Sequence, residues 1–252
     1  MFENNYRTVS LSNPLMKLSE LEEKAQGLLS GAMEGFEIEG SGKIVCCPWL
    51  RWRENLLFKE NHTWEGILLM QDWGNEQQDL KSAVAEIERD RGDNTIKQLH
   101  ENKWQEAIWG SEPTWLVTNA VWGWRKPDDK KKPADKCGYL GDKIHAMAFP
   151  IWSQVLLHAL ETNRALKVVF AGSWARFDDA YKNCHELIKF LRHWSLWVEQ
   201  KRGKSNSTKA YDWKSLEGLG ENATAYFCSH PSIWNVWKES DCSAGPPGDW
   251  DK

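Results

Sequence analysis

Four short apolar runs, each followed by polar residues, stand out along the chain. They occupy residues 66–71, 115–121, 167–172 and 223–228. Apolar runs of this length that do not alternate with polar residues are typical of parallel strands covered on both faces. The pattern therefore predicts that these four segments are strands of a parallel sheet.

Segments with apolar residues at helical spacing separate these runs. The first carries Leu18, Leu21, Ala25 and Leu28 on one face, which is the spacing of an amphipathic helix. Alternating strands and helices predict one α/β domain over residues 1–252, with a loose C-terminal tail at about 240–252. The predicted helices span residues 18–33, 79–89, 94–103, 144–161 (bent near Pro150) and 177–201.

The composition sets limits on localisation and partners. No apolar run approaches the roughly 20 residues that cross a bilayer, and residues 1–14 lack the apolar core of a signal peptide. We therefore expect a cytoplasmic protein without membrane contact. The net charge of −4 argues against nucleic-acid binding through bulk positive charge. The basic stretches at 125–132 and 201–204 are either solvated loops or phosphate contacts.

Tryptophan is unusually frequent, with 17 residues in a chain of 252. Several lie beside polar motif residues, where an exposed indole can stack on a nucleic-acid base. Packing in the core is the alternative for each of them. The tryptophans in question are Trp122, Trp124, Trp234 and Trp237.

Polar residues of catalytic type follow the ends of the predicted strands. Asp72 follows the first strand, Asn119 lies near the end of the second, and His230 follows the fourth. Singly, these residues are typical of a helix cap, a turn and a bend. Ligands bind beyond the carboxyl ends of parallel strands, so we expect the three side chains to surround one crevice.

These motifs resemble those of the uracil-DNA glycosylase superfamily over about residues 66–237. The resemblance implies a three-layer α/β/α fold with a central, mainly parallel four-stranded sheet, and DNA glycosylase activity. The matching segments are Met-Gln-Asp-Trp-Gly at 70–74, Thr-Asn at 118–119 with Arg125 and Pro127 after it, the third strand at 168–175, and His-Pro-Ser at 230–232.

Each motif residue suits one part of glycosidic bond cleavage. A carboxylate at Asp72 can stabilise the positive sugar and orient a water, and His230 can donate a hydrogen bond to the oxygen that becomes negative. The amide of Asn119 can pair with the polar edge of a flipped pyrimidine, uracil or thymine in one orientation and cytosine in the other. The further base-binding candidates are Gln71, Trp73 and Gly74; the DNA-binding candidates are Ser173, Ser232, Ile233, Trp234 (the wedge), Arg125, Arg51 and Arg53.

The chain departs from the family at two places. Gly74 stands where the common uracil enzymes have a tyrosine that blocks carbon 5 of the base; it opens space there or serves only the turn. The branch with the nearest Thr-Asn motif often holds an iron–sulfur cluster, but Cys46 and Cys47 are adjacent and lack CxxC spacing. We therefore predict no metal and no other cofactor. We expect the segment at 48–53 to provide aromatic packing and phosphate contact instead.

These features favour a glycosylase that removes a bulky 5-modified cytosine, such as glucosylated hydroxymethylcytosine, from phage DNA. One alternative is a uracil or mismatched-thymine glycosylase in base repair. Another is a DNA-binding module of the same fold that has lost catalysis. An unrelated α/β hydrolase is not supported, because the chain has no Gly-x-Ser-x-Gly elbow. DNA is the expected partner, and no obligatory protein partner is implied.

Overall fold

A computed structural model describes the parts of the chain that build the sheet and most of the helices around it. A single five-stranded sheet organises these parts. The described residues are 17–29, 47–70, 80–89, 94–101, 104–122, 142–171, 209–212, 224–228 and 231.

The sheet has the strand order β2-β1-β3-β5-β4. Its first four strands in this order run parallel, and β4 pairs antiparallel with β5 at one edge. The four predicted strands are confirmed, and so is the α/β class. The sheet has five strands rather than four, because a short segment that has no apolar run adds to the edge. The strands are β1 (Gly66–Met70), β2 (Trp115–Asn119), β3 (Lys167–Ala171), β4 (Lys209–Asp212) and β5 (Thr224–Cys228).

Four of the five predicted helices lie in the described part of the chain, and all four are confirmed within a few residues. Pro150 lies inside the longest helix, which continues through it. The predicted helix at 177–201 and the predicted tail at 240–252 lie outside the described residues. The helices are α1 (Leu18–Leu29), α2 (Pro48–Trp52), α3 (Glu54–Leu57), α4 (Leu80–Arg89), α5 (Asn94–Glu101) and α6 (Asp142–Thr162), and a π-helical turn occupies Gln105–Trp109.

Apolar side chains of the helices and the sheet form one continuous core. Helix α1 packs on α6, and its residues Leu18, Leu21 and Ala25 are fully buried, as its apolar spacing predicts. Helix α2 packs against both α4 and β2. Tryptophan supplies much of the volume, since five indoles are almost completely buried: Trp49, Trp64, Trp104, Trp122 and Trp152.

The first residue of β1 is a glycine because an indole occupies the space above it. Gly66 pairs with Trp115 across the β1–β2 ladder. A Cβ atom at Gly66 would lie 2.4 Å from the Trp115 ring, far inside van der Waals contact. Trp115 in turn packs edge-on against Trp104, with ring centroids 5.0 Å apart. This close approach helps to set the start of the register that continues to the carboxyl ends of the strands.

Helix α6 has 21 residues, which is about the length that spans a bilayer. Its sequence includes charged and polar residues as well as apolar ones. Within the described ranges, neither α6 nor any other helix combines the length and the apolar character needed to cross a membrane.

Candidate functional site

The carboxyl ends of the four parallel strands lie together at one end of the sheet, which we call the carboxyl edge. Met70, the last residue of β1, pairs with Asn119, the last residue of β2, and the amide of Ala120 donates to the Met70 carbonyl at 2.7 Å. Further along the same end of the sheet, Ala171 at the end of β3 pairs with Cys228 at the end of β5. Neighbouring strands are about 4.8 Å apart, so the ends of β2 and β5 are separated by roughly three such spacings.

This strand order determines where three segments with predicted catalytic or DNA-binding residues begin. Asp72 lies two residues beyond Met70, Ser173 two residues beyond Ala171, and His230 two residues beyond Cys228. The chain therefore enters all three segments from the edge that Asn119 occupies. Their side chains are not described. The other predicted site residues outside the described ranges are Gln71, Trp73, Gly74, Arg125, Ser232, Ile233 and Trp234.

Asn119 is the predicted base-reading residue whose side chain is described. It is 2% exposed. Its backbone carbonyl accepts hydrogen bonds from the Trp122 indole at 3.0 Å and from the Thr118 hydroxyl at 3.2 Å. Its Oδ1 lies 3.6 Å from the thiol of Cys47, which donates to it. These contacts hold the backbone and the carbonyl arm of the side chain in place.

The other arm of this amide carries the donor atom Nδ2. The Nδ2 atom of Asn119 is buried and has no hydrogen-bond partner among the described residues. A buried donor without a partner costs about 1–3 kcal/mol, and such groups in a native fold call for a specific explanation, often a role in function. No described residue therefore competes with the acceptor atom of a ligand for this amide nitrogen.

Cys47, immediately before α2, is a neighbour of Asn119 that the sequence did not reveal. Its Sγ lies 3.4 Å from the Asn119 backbone nitrogen, which donates to it, and 3.6 Å from the Thr118 hydroxyl. Complete burial raises the pKa of the Cys47 thiol, so it stays protonated at neutral pH. Because 72 positions separate Cys47 from Asn119, no local pattern could indicate this contact.

Trp122 packs in the core rather than offering a stacking surface. Its side chain is 1% exposed, and its indole nitrogen donates to the backbone carbonyl of Asn119. Of the two alternatives for this tryptophan, packing is the one that the structure shows. The tryptophans at 124, 234 and 237 lie outside the described residues.

Arg51, a predicted phosphate contact, binds carboxylates of the protein itself. Its guanidinium donates to both carboxylate oxygens of Glu22, which is completely buried, and to Glu54 at 2.7 Å. Burial raises the pKa of Glu22, and the Arg51 cation opposes that rise. Phosphate contact by Arg51 stays a prediction, and the two carboxylates compete with any phosphate for its donors.

Arg53 is also held within the fold. Its guanidinium lies 3.7 Å from the centroid of the Trp52 ring and donates to the Ile108 carbonyl. Burial lowers the pKa of Arg53 from its ordinary value. The Trp52 ring belongs to an aromatic cluster with Trp49 and Trp109, whose centroids are 5.7–6.1 Å apart. The segment at 48–53 thus provides the aromatic packing expected of it, and phosphate contact by Arg53 remains a prediction.

An open groove lies at the opposite edge of the sheet. It is lined by the loop that leads from α3 toward β1 and by the end of α6, including His62, His158 and Glu161. Both imidazoles bind backbone carbonyls through Nε2, His62 to Pro113 and His158 to Leu57. The groove lies before the starts of β1 and β3, whereas Asn119 lies at the end of β2, so the groove is remote from the candidate site.

The candidate site is thus the carboxyl edge of the parallel strands, where the buried amide nitrogen of Asn119 meets no partner from the described part of the chain. What this site does is inferred from the residues of the chain alone. Comparison with protein-family models, with curated proteins and with solved structures finds no match.

Proposed function

We propose that this protein is a DNA glycosylase of the uracil-DNA glycosylase superfamily, with three α/β/α layers. The observation that carries the proposal is the buried Nδ2 of Asn119, which has no partner among the described residues. Asn119 lies beside Met70, and Asp72 follows Met70 by two residues in the sequence. At the same carboxyl edge β5 ends two residues before His230. A base-reading amide, a carboxylate and a histidine on separate strands are what this reaction needs.

In this proposal a pyrimidine leaves the base stack and enters the crevice at the carboxyl edge. Asn119 donates from Nδ2 to the polar edge of the base, with Gln71 beside it, and Trp234 fills the vacated space in the duplex. Phosphate and backbone contacts come from Ser173, Ser232, Ile233 and Arg125. These roles follow the motif positions of the residues.

The chemical step is hydrolysis of the N-glycosidic bond. As the bond between C1′ and the base nitrogen breaks, its electron pair leaves with the base and positive charge develops on the sugar. Asp72 stabilises that charge and accepts a proton from the water that adds to C1′. His230 donates a hydrogen bond to the oxygen of the departing base, where negative charge develops. The base anion then takes up a proton from solvent and Asp72 releases the proton it accepted, so the products are the free base and an abasic site.

We propose a bulky 5-modified cytosine, such as glucosylated hydroxymethylcytosine in phage DNA, as the substrate. The absence of a side chain at Gly74 supports this choice, because a tyrosine at that motif position would fill the space next to carbon 5 of the base. Trp73 supplies an indole on which a sugar can stack. The biological role that follows is defence of a bacterial host against phages with modified DNA.

Base release measured by mass spectrometry tests this proposal. Purified protein is incubated with duplexes that contain uracil, mismatched thymine, hydroxymethylcytosine or glucosylated hydroxymethylcytosine. We expect release of the glucosylated base by the wild type and a loss of at least about 100-fold in Asp72→Asn and Asn119→Ala. Glu112→Gln is the matched control, since it neutralises a carboxylate that is 81% exposed at the opposite edge; it should leave release unchanged.

Each other outcome has a definite meaning. Release of uracil or thymine alone would contradict the bulky-base assignment and favour base repair. Release that persists in Asp72→Asn would contradict the catalytic role of that residue. If no substrate loses its base, the enzymatic proposal is wrong, and duplex binding by the same protein would then favour a DNA-binding module.

A further inference from the structure

The thiol of Cys47 contacts the side chain and the backbone of Asn119 at the same time. The backbone nitrogen of Asn119 donates to Sγ at 3.4 Å, and the thiol donates to the side-chain oxygen Oδ1 of Asn119 at 3.6 Å. The two contacts close a small ring between one cysteine and one asparagine. A side chain held at its carbonyl oxygen and at its own backbone has little freedom to rotate.

The thiol proton on Cys47 faces two acceptor oxygens, one of which is Oδ1 of Asn119. The hydroxyl of Thr118 donates to the Asn119 carbonyl, so toward Sγ it can only accept and shares the thiol proton with Oδ1. Complete burial raises the pKa of Cys47 and keeps the thiol protonated, hence a donor. Sulfur is only a weak acceptor. A flipped amide would place Nδ2 against that weak acceptor and leave Oδ1 without the thiol donor.

We infer that Cys47 is a positioning residue that fixes the amide of Asn119, with Oδ1 against the thiol and Nδ2 free to donate to an acceptor atom of the ligand. This inference rests on the proposed function and adds a specificity determinant to it. The donor of the amide, Nδ2, then meets an acceptor atom on the polar edge of the pyrimidine. The acceptor of the amide, Oδ1, stays on the side of the thiol. At carbon 4 of the pyrimidine a keto group accepts a hydrogen bond and an amino group donates one, so the two kinds of base meet the fixed amide differently.

Releasing the amide should therefore weaken discrimination between the two kinds of pyrimidine. Cys47→Val removes the donor at similar volume, and Cys47→Ser retains a donor. With duplexes containing uracil or glucosylated hydroxymethylcytosine, kcat/KM is measured for the wild type and both variants. The ratio is the kcat/KM for the preferred base divided by that for the other base. We expect Cys47→Val to reduce this ratio by about threefold to tenfold, the effect of one hydrogen bond. Cys47→Ser should retain the wild-type ratio.

A general loss of packing is separated from positioning by Ile96→Val. Ile96 is 1% exposed in α5, so the change removes one buried methylene from an element that carries neither Cys47 nor Asn119. This variant should keep the wild-type ratio even where it lowers stability. An unchanged ratio in Cys47→Val, or an equal change in Ile96→Val, would overturn the inference.

A second measurement reads the Asn119 side chain directly and does not depend on activity. In ¹⁵N-labelled protein, the Nδ2 signals of Asn119 are assigned by their loss in Asn119→Ala. We expect slow hydrogen exchange of these protons in the wild type and in Cys47→Ser, and exchange at least about tenfold faster in Cys47→Val, in which the amide is free to rotate. Equal exchange in all three would refute positioning. If the wild type releases no base but Cys47→Val still accelerates exchange, the glycosylase proposal fails and the positioning role stands.

Discussion

Met70 and Asn119 lie side by side as the last residues of two neighbouring parallel strands, β1 and β2. The amide of Ala120 donates to the Met70 carbonyl at 2.7 Å, so the pairing continues just past the end of β2. The segment that contains Asp72 therefore leaves the sheet next to the buried amide of Asn119. The pairing of Met70 with Asn119 underlies the predictions about function, because Asp72 follows Met70 by two residues in the sequence.

The proposed open space beside carbon 5 of the base is tested by substitution at Gly74. A tyrosine there adds an aromatic ring where the proposed substrate carries its sugar. Gly74→Tyr should abolish release of glucosylated hydroxymethylcytosine and still permit excision of uracil, measured by mass spectrometry on matched duplexes. Release of the bulky base at the wild-type rate would mean that Gly74 serves only the turn.

The ion pairs of Arg51 should be needed for stability whether or not Arg51 contacts DNA. Removing the guanidinium leaves the carboxylate of Glu22, which is completely buried, without its cation. Breaking such a pair costs about 3–5 kcal/mol, so Arg51→Ala should lower the free energy of unfolding in urea by about that amount.

Lys59→Ala is the matched control for Arg51→Ala. Lys59 and Glu112 form an ion pair at 3.9 Å in which both side chains are largely exposed, and such pairs contribute about 0–1 kcal/mol. The double variant Glu22→Gln with Arg51→Ala should recover part of the lost stability, because no buried charge remains unpaired. Equal effects of Arg51→Ala and Lys59→Ala would show that the buried carboxylate is not the cause.

Stability should fall at alkaline pH because of Cys47. Burial raises the pKa of its thiol, so above about pH 8.5, the ordinary thiol value, the unfolded chain loses a proton that the folded protein retains. The free energy of unfolding then declines by up to about 1.4 kcal/mol per pH unit until the raised pKa of the folded state is reached. Urea unfolding at pH 7 to 10 measures this slope. Cys47→Val should show a shallower decline, while parallel curves would contradict the role of this thiol.

Two glycines should respond in opposite ways to replacement by alanine. A Cβ at Gly66 would meet the Trp115 ring at 2.4 Å, whereas at Gly27, inside α1, it would meet nothing within 4 Å. Gly66→Ala should therefore lower the free energy of unfolding by about 1–3 kcal/mol through overpacking. Gly27→Ala should raise it by about 0.5–1 kcal/mol, because alanine favours the helix. Thermal unfolding of both variants checks this, and destabilisation by both would contradict the close approach at Gly66.

Hydrophobic patterning is a local property, so it predicts elements well. The runs at 66–71 and 115–121 correspond to β1 and β2, and the spacing of Leu18, Leu21 and Ala25 corresponds to the buried face of α1. Strand β4 escaped prediction because its four residues, Lys-Ala-Tyr-Asp, have no apolar run. Its place in the sheet depends on antiparallel pairing with β5, which is not a local property.

The sequence by itself determined the α/β class, the four parallel strands and the position of Asn119 at a strand end. Only the tertiary structure decided which partners those residues meet. Arg51 faces Glu22, 29 positions away, and Cys47 faces Asn119, 72 positions away. The reason is physical: strand and helix periodicity arise from neighbours within a few residues, whereas ion pairs and thiol contacts depend on how distant segments pack.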